Sequence, residues 1–153
     1  MTKYVLAVAL AVFGLMLSVG VAPVQAGDGF AHHVVIHVDD NDKAKMNIAL
    51  NNAANVTKYY EAKGQKVKIE VVAYGPGLHM LRADTSPVVQ RLEMFSMEYE
   101  NIGFAACGNT VKGMTKKEGK PPQLVELDNV NVVPSGVVQI MERQDQGWHY
   151  IRP

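Results

Sequence analysis

The sequence predicts an α/β domain with a mostly parallel sheet of about five strands and helices on both faces. Three observations lead there. Short β-branched runs alternate with longer stretches of helical periodicity. The segments between runs are long enough to hold a crossover helix, as parallel pairing demands. No internal repeat interrupts the alternation, and strand–helix–strand units of this kind are right-handed.

Residues 33–38 form the first strand, followed by the polar turn Asp39-Asp40-Asn41-Asp42. A helix is expected over 43–63, where Met46, Ala49, Ala53, Val56 and Tyr60 recur at steps of three and four and build one buried stripe. Gly64 stands where a helix C-terminal cap places a residue with positive φ. Residues 67–73 are the second strand, ending in Tyr74-Gly75-Pro76-Gly77, whose glycines permit a sharp turn and a close backbone approach.

Ser86-Pro87 reads as an N-cap with proline at the first helical position, and Val88, Leu92, Phe95 and Tyr99 give that helix its inner face. Residues 102–106 are a third strand, apolar as a strand buried on both faces should be. Cys107 stands at its end, before Gly108-Asn109-Thr110 and a short helix to Met114. The lysine-rich connection 116–122 reads as an ordinary solvated loop, and is the first candidate for a mobile segment. Residues 130–133 are the fourth strand, and Pro134-Ser135 leads into a helix ending near Gly147, with Val137, Ile140 and Met141 turned inward. Residues 148–151 close the sheet. No Walker or Rossmann glycine motif opens the first crossover, and Asp39-Asp40 would repel phosphate there, so no nucleotide or other cofactor is expected.

Ahead of these elements, residues 1–26 have the three regions of a secretory signal peptide. Lys3 supplies the positive start, 5–21 is an uncharged apolar stretch, and Val24-Gln25-Ala26 is an A-x-A-like cleavage site. The apolar run is near the lower length limit for spanning a bilayer. The Pro23 break and the small residues after it favour cleavage over a retained anchor, and no cysteine lies near residue 26 to carry a lipid. Of 153 residues, 127 remain as one domain, 27–153, expected to be exported, periplasmic and soluble. Lys3 is the signal's only charge, so the domain keeps 14 of the 15 basic residues against all 15 acidic ones. That balance argues against nucleic acid or an anionic membrane surface as partner.

Four stretches carry a family likeness: 33–39 (HVVIHVD), 71–81 (VVAYGPGLHML), 104–110 (FAACGNT) and 132–138 (VVPSGVV). With them the chain resembles the DsrE/DsrF-like sulfur-relay family over nearly the whole mature domain. The resemblance implies a three-layer α/β/α domain that assembles as a homo-oligomer, commonly a trimer or hexamer. In sulfur-relay members a cysteine after a central strand carries sulfur as a persulfide, and Cys107 matches that position. The well-understood relatives work in the cytoplasm among partner subunits and carrier proteins, whereas this chain carries an export signal.

Cys107 is the chain's single cysteine, so it cannot form an intrachain bridge. A thiol reacts as its thiolate. The N–H groups and positive end of the helix expected at Gly108, Asn109 and Thr110 would favour that anion. Lys112, with Lys116, Lys117 and Lys120, would raise the local potential. The combination suits an inorganic sulfur anion such as thiosulfate or polysulfide, or a sulfur donor or acceptor protein. The site falls at the C-terminal edge of the sheet, where open α/β folds bind ligands. His79 follows the Gly-Pro-Gly loop as Cys107 follows its own strand, which would let the imidazole meet the thiol if those strands are neighbours.

The plain alternative is an inert cysteine behaving as a small apolar residue. His32, His33 and His37 offer another reading, a non-catalytic oligomeric module for a metal or small ligand, although their spacing matches no compact zinc motif. A thiol redox partner is a third, weakened by the missing resolving cysteine. The leading expectation is an exported sulfur-binding or sulfur-transfer protein with Cys107 as persulfide acceptor, at most a carrier or transferase. No triad or paired carboxylates with a recognisable spacing accompany it.

Overall fold

The computed structural model describes residues 28–153. The expected export signal lies outside the described residues. Five strands, β1 (His32–Val38), β2 (Val67–Ala73), β3 (Ile102–Cys107), β4 (Val130–Val133) and β5 (His149–Ile151), form one sheet. All pairings are parallel, in the order β4-β3-β2-β1-β5. The crossovers carry α1 (Lys43–Glu61), a 3-10 helix (Gly75–Leu81), α2 (Val89–Glu98), α3 (Gly108–Glu118) and α4 (Gly136–Asp145). The result is the expected three-layer α/β/α domain.

Strand alternation decides what each face buries. Val34, Ile36, Val38, Ile69, Val71, Ala73, Phe104 and Ala106 turn to one side, where α1, α2, the 3-10 helix and part of α3 pack on them. Full burial of a side chain such as Phe104, Met46 or Leu92 contributes about 1.5–3 kcal/mol, so this side holds most of the core. The opposite side is thinner: Val35, Val72 and Ala105 meet Ile140 of α4, with Tyr74, Val133 and Trp148 around them. Cys107 follows Ala105 at a two-residue step and so belongs to the α4 side.

Asp42 caps α1, accepting the N–H groups of Ala44 at 2.6 Å and Lys45 at 3.2 Å. Past α1, Gly64 takes φ 68°, as the cap pattern requires. The turn after β2 depends on glycine twice. Gly75 has φ 53°. A Cβ at Gly77 would lie 2.2 Å from the Val38 carbonyl oxygen, so only glycine lets the 3-10 helix sit against β1.

Several boundaries and faces differ from expectation. In α1 the buried set is Met46, Ala49, Leu50, Ala53 and Thr57, while Val56 and Tyr60 are half-buried. A stripe at 3.6 residues per turn drifts by one position over that length, and Asn101 satisfies the Thr57 hydroxyl at 2.9 Å. Helix α2 begins at Val89, with Val88 as its N-cap. Ser86 instead pins the loop, donating to the Met80 carbonyl at 2.6 Å and accepting from Val88 N–H at 3.2 Å.

Helix α3 runs past Met114 to Glu118 and ends on Gly119 at φ 75°. Lys116 and Lys117 are therefore its last turn, where cations offset the helix dipole, and only 119–122 remain as connection. Its end is anchored by Arg82, only 4% exposed, which donates to Glu118 at 2.6 Å and to Asp84 at 2.7 Å. In α4, Ile140 is buried but Val137 and Met141 are 49% and 56% exposed. The reason is polar: Glu70 of β2 points to that side, and Gln139 and Arg143 turn inward to hold it.

Candidate functional site: two helix N-termini around Cys107

Parallel pairing places consecutive strand-to-helix junctions side by side at the C-terminal edge of the sheet. Cys107 pairs with Val133 across β3 and β4. The helices that follow these strands, α3 and α4, therefore begin next to each other. Cys107 is the N-cap of α3, and its side chain caps no backbone group. Gly136 opens α4 against it: a Cβ there would sit 3.2 Å from the Cys107 Cβ and 3.0 Å from Tyr74 Cβ and Cδ1. Gly108 is equally confined, its Cβ position 3.0 Å from the Val133 carbonyl oxygen. Glycine at both junctions lets the two helix starts close up beside the Cys107 side chain.

The thiol is 4% exposed. Burial alone pushes a thiol pKa up. Here the nearby Thr110 hydroxyl and the backbone N–H groups of Gly136, Thr110 and Asn109 favour the anion and outweigh that penalty, so the pKa lies below its ordinary value. Thr110 is itself placed, because its Oγ1 accepts the Gly75 N–H at 2.9 Å. The turn after β2 thus holds the hydroxyl that favours the thiolate.

A family model described as DsrE/DsrF-like family matches residues 32–153. The chain belongs to that family. Among solved structures, it is similar to a protein of unknown function from Methanobacterium thermoautotrophicum, at 34% identity and a TM-score of 0.67. The match covers 80% of this chain and 99% of that one. No curated protein sequence is significantly similar to it.

In the DsrE-like domain Gly108, Asn109 and Thr110 form the first turn of α3, directly after Cys107. Lys112, Lys116, Lys117 and Lys120 are exposed, and none is among the main groups that shift the thiol. Neutral groups supply the stabilisation that lysine charge was expected to share. His79 lies on the 3-10 helix, where its Nδ1 pairs with Thr85 Oγ1 at 2.7 Å. It makes no hydrogen bond to Cys107 among the described residues.

Two contributors escaped the sequence reading. Gly136 acts from the second helix, and only the adjacency of β3 and β4 reveals it. Tyr74 lies between the site and His37, its ring stacked on the imidazole at 4.7 Å and 22°. His37 is 6% exposed; its Nδ1 meets the Tyr150 hydroxyl at 2.7 Å, and its Nε2 is 3.6 Å from Asp39. Burial lowers the His37 pKa and raises that of Tyr74, which keeps both neutral around neutral pH. The other two histidines of the N-terminal cluster are engaged apart from it: His32 stacks on Tyr60, and His33 pairs with Asp28. Among the described residues no three histidine, cysteine or acidic side chains gather where a metal could bind.

Proposed function

We propose that this DsrE-like protein accepts sulfane sulfur on Cys107 and passes it on. Membership in the family supports a sulfur-relay role in general. The observation that carries the specific reading is the meeting of the α3 and α4 N-termini at a buried Cys107, with Gly136 against its side chain, an environment that favours the thiolate. An inert cysteine gains nothing from groups that favour its anion. The thiolate attacks a sulfane sulfur, the donor's S–S bond breaks, and the leaving group departs with the bonding pair, so that Cys107 becomes a persulfide. The same helix N-termini can then hold the terminal sulfur anion.

Export and self-assembly complete the proposal. The signal-like segment 1–26 supports a periplasmic location. Exposed Val132, Val137, Val138 and Met141, on β4 and α4 beside the cysteine, support a homo-oligomer that covers them. The test is cyanolysis. Protein treated with polysulfide and desalted should release thiocyanate in proportion to Cys107, and the Cys107→Ser variant should release none. Equal release from both would sink the assignment.

A further inference from the structure

The sulfur-acceptor reading leaves open what delivers the sulfur, and the surroundings of Cys107 narrow the choice. Exchange needs the attacking sulfur in line with the S–S bond that breaks, yet the thiol is 4% exposed. Tyr74 is fixed beside it. On one side its Cβ and Cδ1 lie against Gly136, at the same backbone position that touches the Cys107 side chain. On the other its ring stacks on buried His37. Tyr150 of β5 holds that imidazole at 2.7 Å, and Arg152 ties the same strand end to Asp39 at 2.7 Å. The ring therefore has a support on each side, while it remains only half-buried.

We propose that Tyr74 is a specificity-determining residue of the Cys107 site, closing the approach to the thiol so that it takes sulfur from small inorganic sulfane-sulfur anions and excludes persulfides carried on proteins. The donor class rests on the sulfur-acceptor reading; the closure itself does not. A tilt of one ring admits an ion of a few atoms. A folded donor would need the ring displaced from both the imidazole and the start of α4. In the transfer, the Cys107 thiolate bonds to the sulfane sulfur and the donor's S–S bond breaks. Hydrosulfide leaves from a hydrodisulfide, or sulfite from thiosulfate. The negative charge passes to the terminal sulfur of the new persulfide, and no external oxidant or reductant is needed.

The test compares small and large reagents on the wild type, Tyr74→Phe and Tyr74→Ala, each checked by its melting curve. Alkylation is followed with iodoacetamide and with poly(ethylene glycol)-maleimide. Sulfur loading is followed from sodium polysulfide, from thiosulfate and from serum albumin carrying a cysteine persulfide. Wild type and Tyr74→Phe should accept the small reagents and discriminate against the large ones. Tyr74→Ala should raise the rates of the large reagents by about tenfold, one decade of barrier, with little change for the small ones. Tyr74→Leu replaces the alanine variant if that variant does not fold. An unchanged ratio of large to small rates, or wild-type loading from albumin persulfide as fast as from polysulfide, overturns the proposal. If the alkylation ratio shifts while no donor loads sulfur, the ring's closing role stands and the donor class falls with the acceptor reading.

Discussion

Thr110→Val removes one hydroxyl while keeping the shape of the side chain, and it isolates the support of the thiolate. The lost oxygen accepts the Gly75 N–H at 2.9 Å and favours the Cys107 anion beside it. A hydrogen bond to a charged group is worth about 1.5–3 kcal/mol, and one pKa unit corresponds to about 1.36 kcal/mol. Thr110 is half-buried, so water recovers part of the loss, and the thiol pKa should rise. Below the pKa, thiolate fraction and alkylation rate then fall at fixed pH, by about tenfold for each pKa unit gained. The rate of iodoacetamide labelling against pH, read by mass spectrometry of the Cys107 peptide, measures the shift. A second consequence concerns stability. A thiol titrating below its unfolded value adds stability above that value and loses it as pH falls through the folded pKa. The variant should show a smaller gain in melting temperature across that window. An unmoved labelling profile would refute the claim that Thr110 holds the thiolate.

Three further outcomes follow from the same geometry. Gly136→Ala forces a Cβ to within 3.0 Å of Tyr74 and 3.2 Å of Cys107; thermal melts should show a loss of about 1–3 kcal/mol from overpacking, and labelling should show a raised thiol pKa. The double change Asp84→Asn with Glu118→Gln leaves the Arg82 charge without a counter-ion and should lower the urea midpoint; an unchanged midpoint would show that water already serves it. His37 has a pKa depressed by burial below 6.5, so it is uncharged when folded and takes a proton on unfolding. Stability should therefore decline as pH falls below 6.5 towards the folded pKa, and His37→Gln should flatten that decline in a melting series.

Much of this was legible in the residues because it is local. Alternating valines and isoleucines marked the strands, Gly64 marked a helix end, and the Gly75-Pro76-Gly77 turn announced a close approach that Gly77 makes against Val38. Cys107 with Gly108, Asn109 and Thr110 was legible as a strand end meeting a helix start. What stayed hidden depends on tertiary contact. The inner face of α4 was misread because Val137 and Met141 have the right spacing, whereas the sheet beneath offers the Glu70 carboxylate, which recruits Gln139 and Arg143. The lysines near Cys107 drew attention by charge, while the groups that most favour its anion are the Thr110 hydroxyl and backbone N–H groups, the latter advertised by no residue type. Gly136 and Tyr74 lie 29 residues after and 33 before Cys107 in the numbering. Only strand order brings them to the thiol.

The central claim is that Cys107 accepts sulfur as a persulfide, and intact mass tests it most directly. Folded protein incubated with polysulfide or thiosulfate and then desalted should gain the mass of a sulfur atom, located by fragmentation at Cys107. The Cys107→Ser variant should keep its mass and its fold under the same treatment. Wild-type protein that remains unmodified while its folded-state thiol still reacts with iodoacetamide would contradict the account, for it would show an accessible thiolate that does not take sulfur.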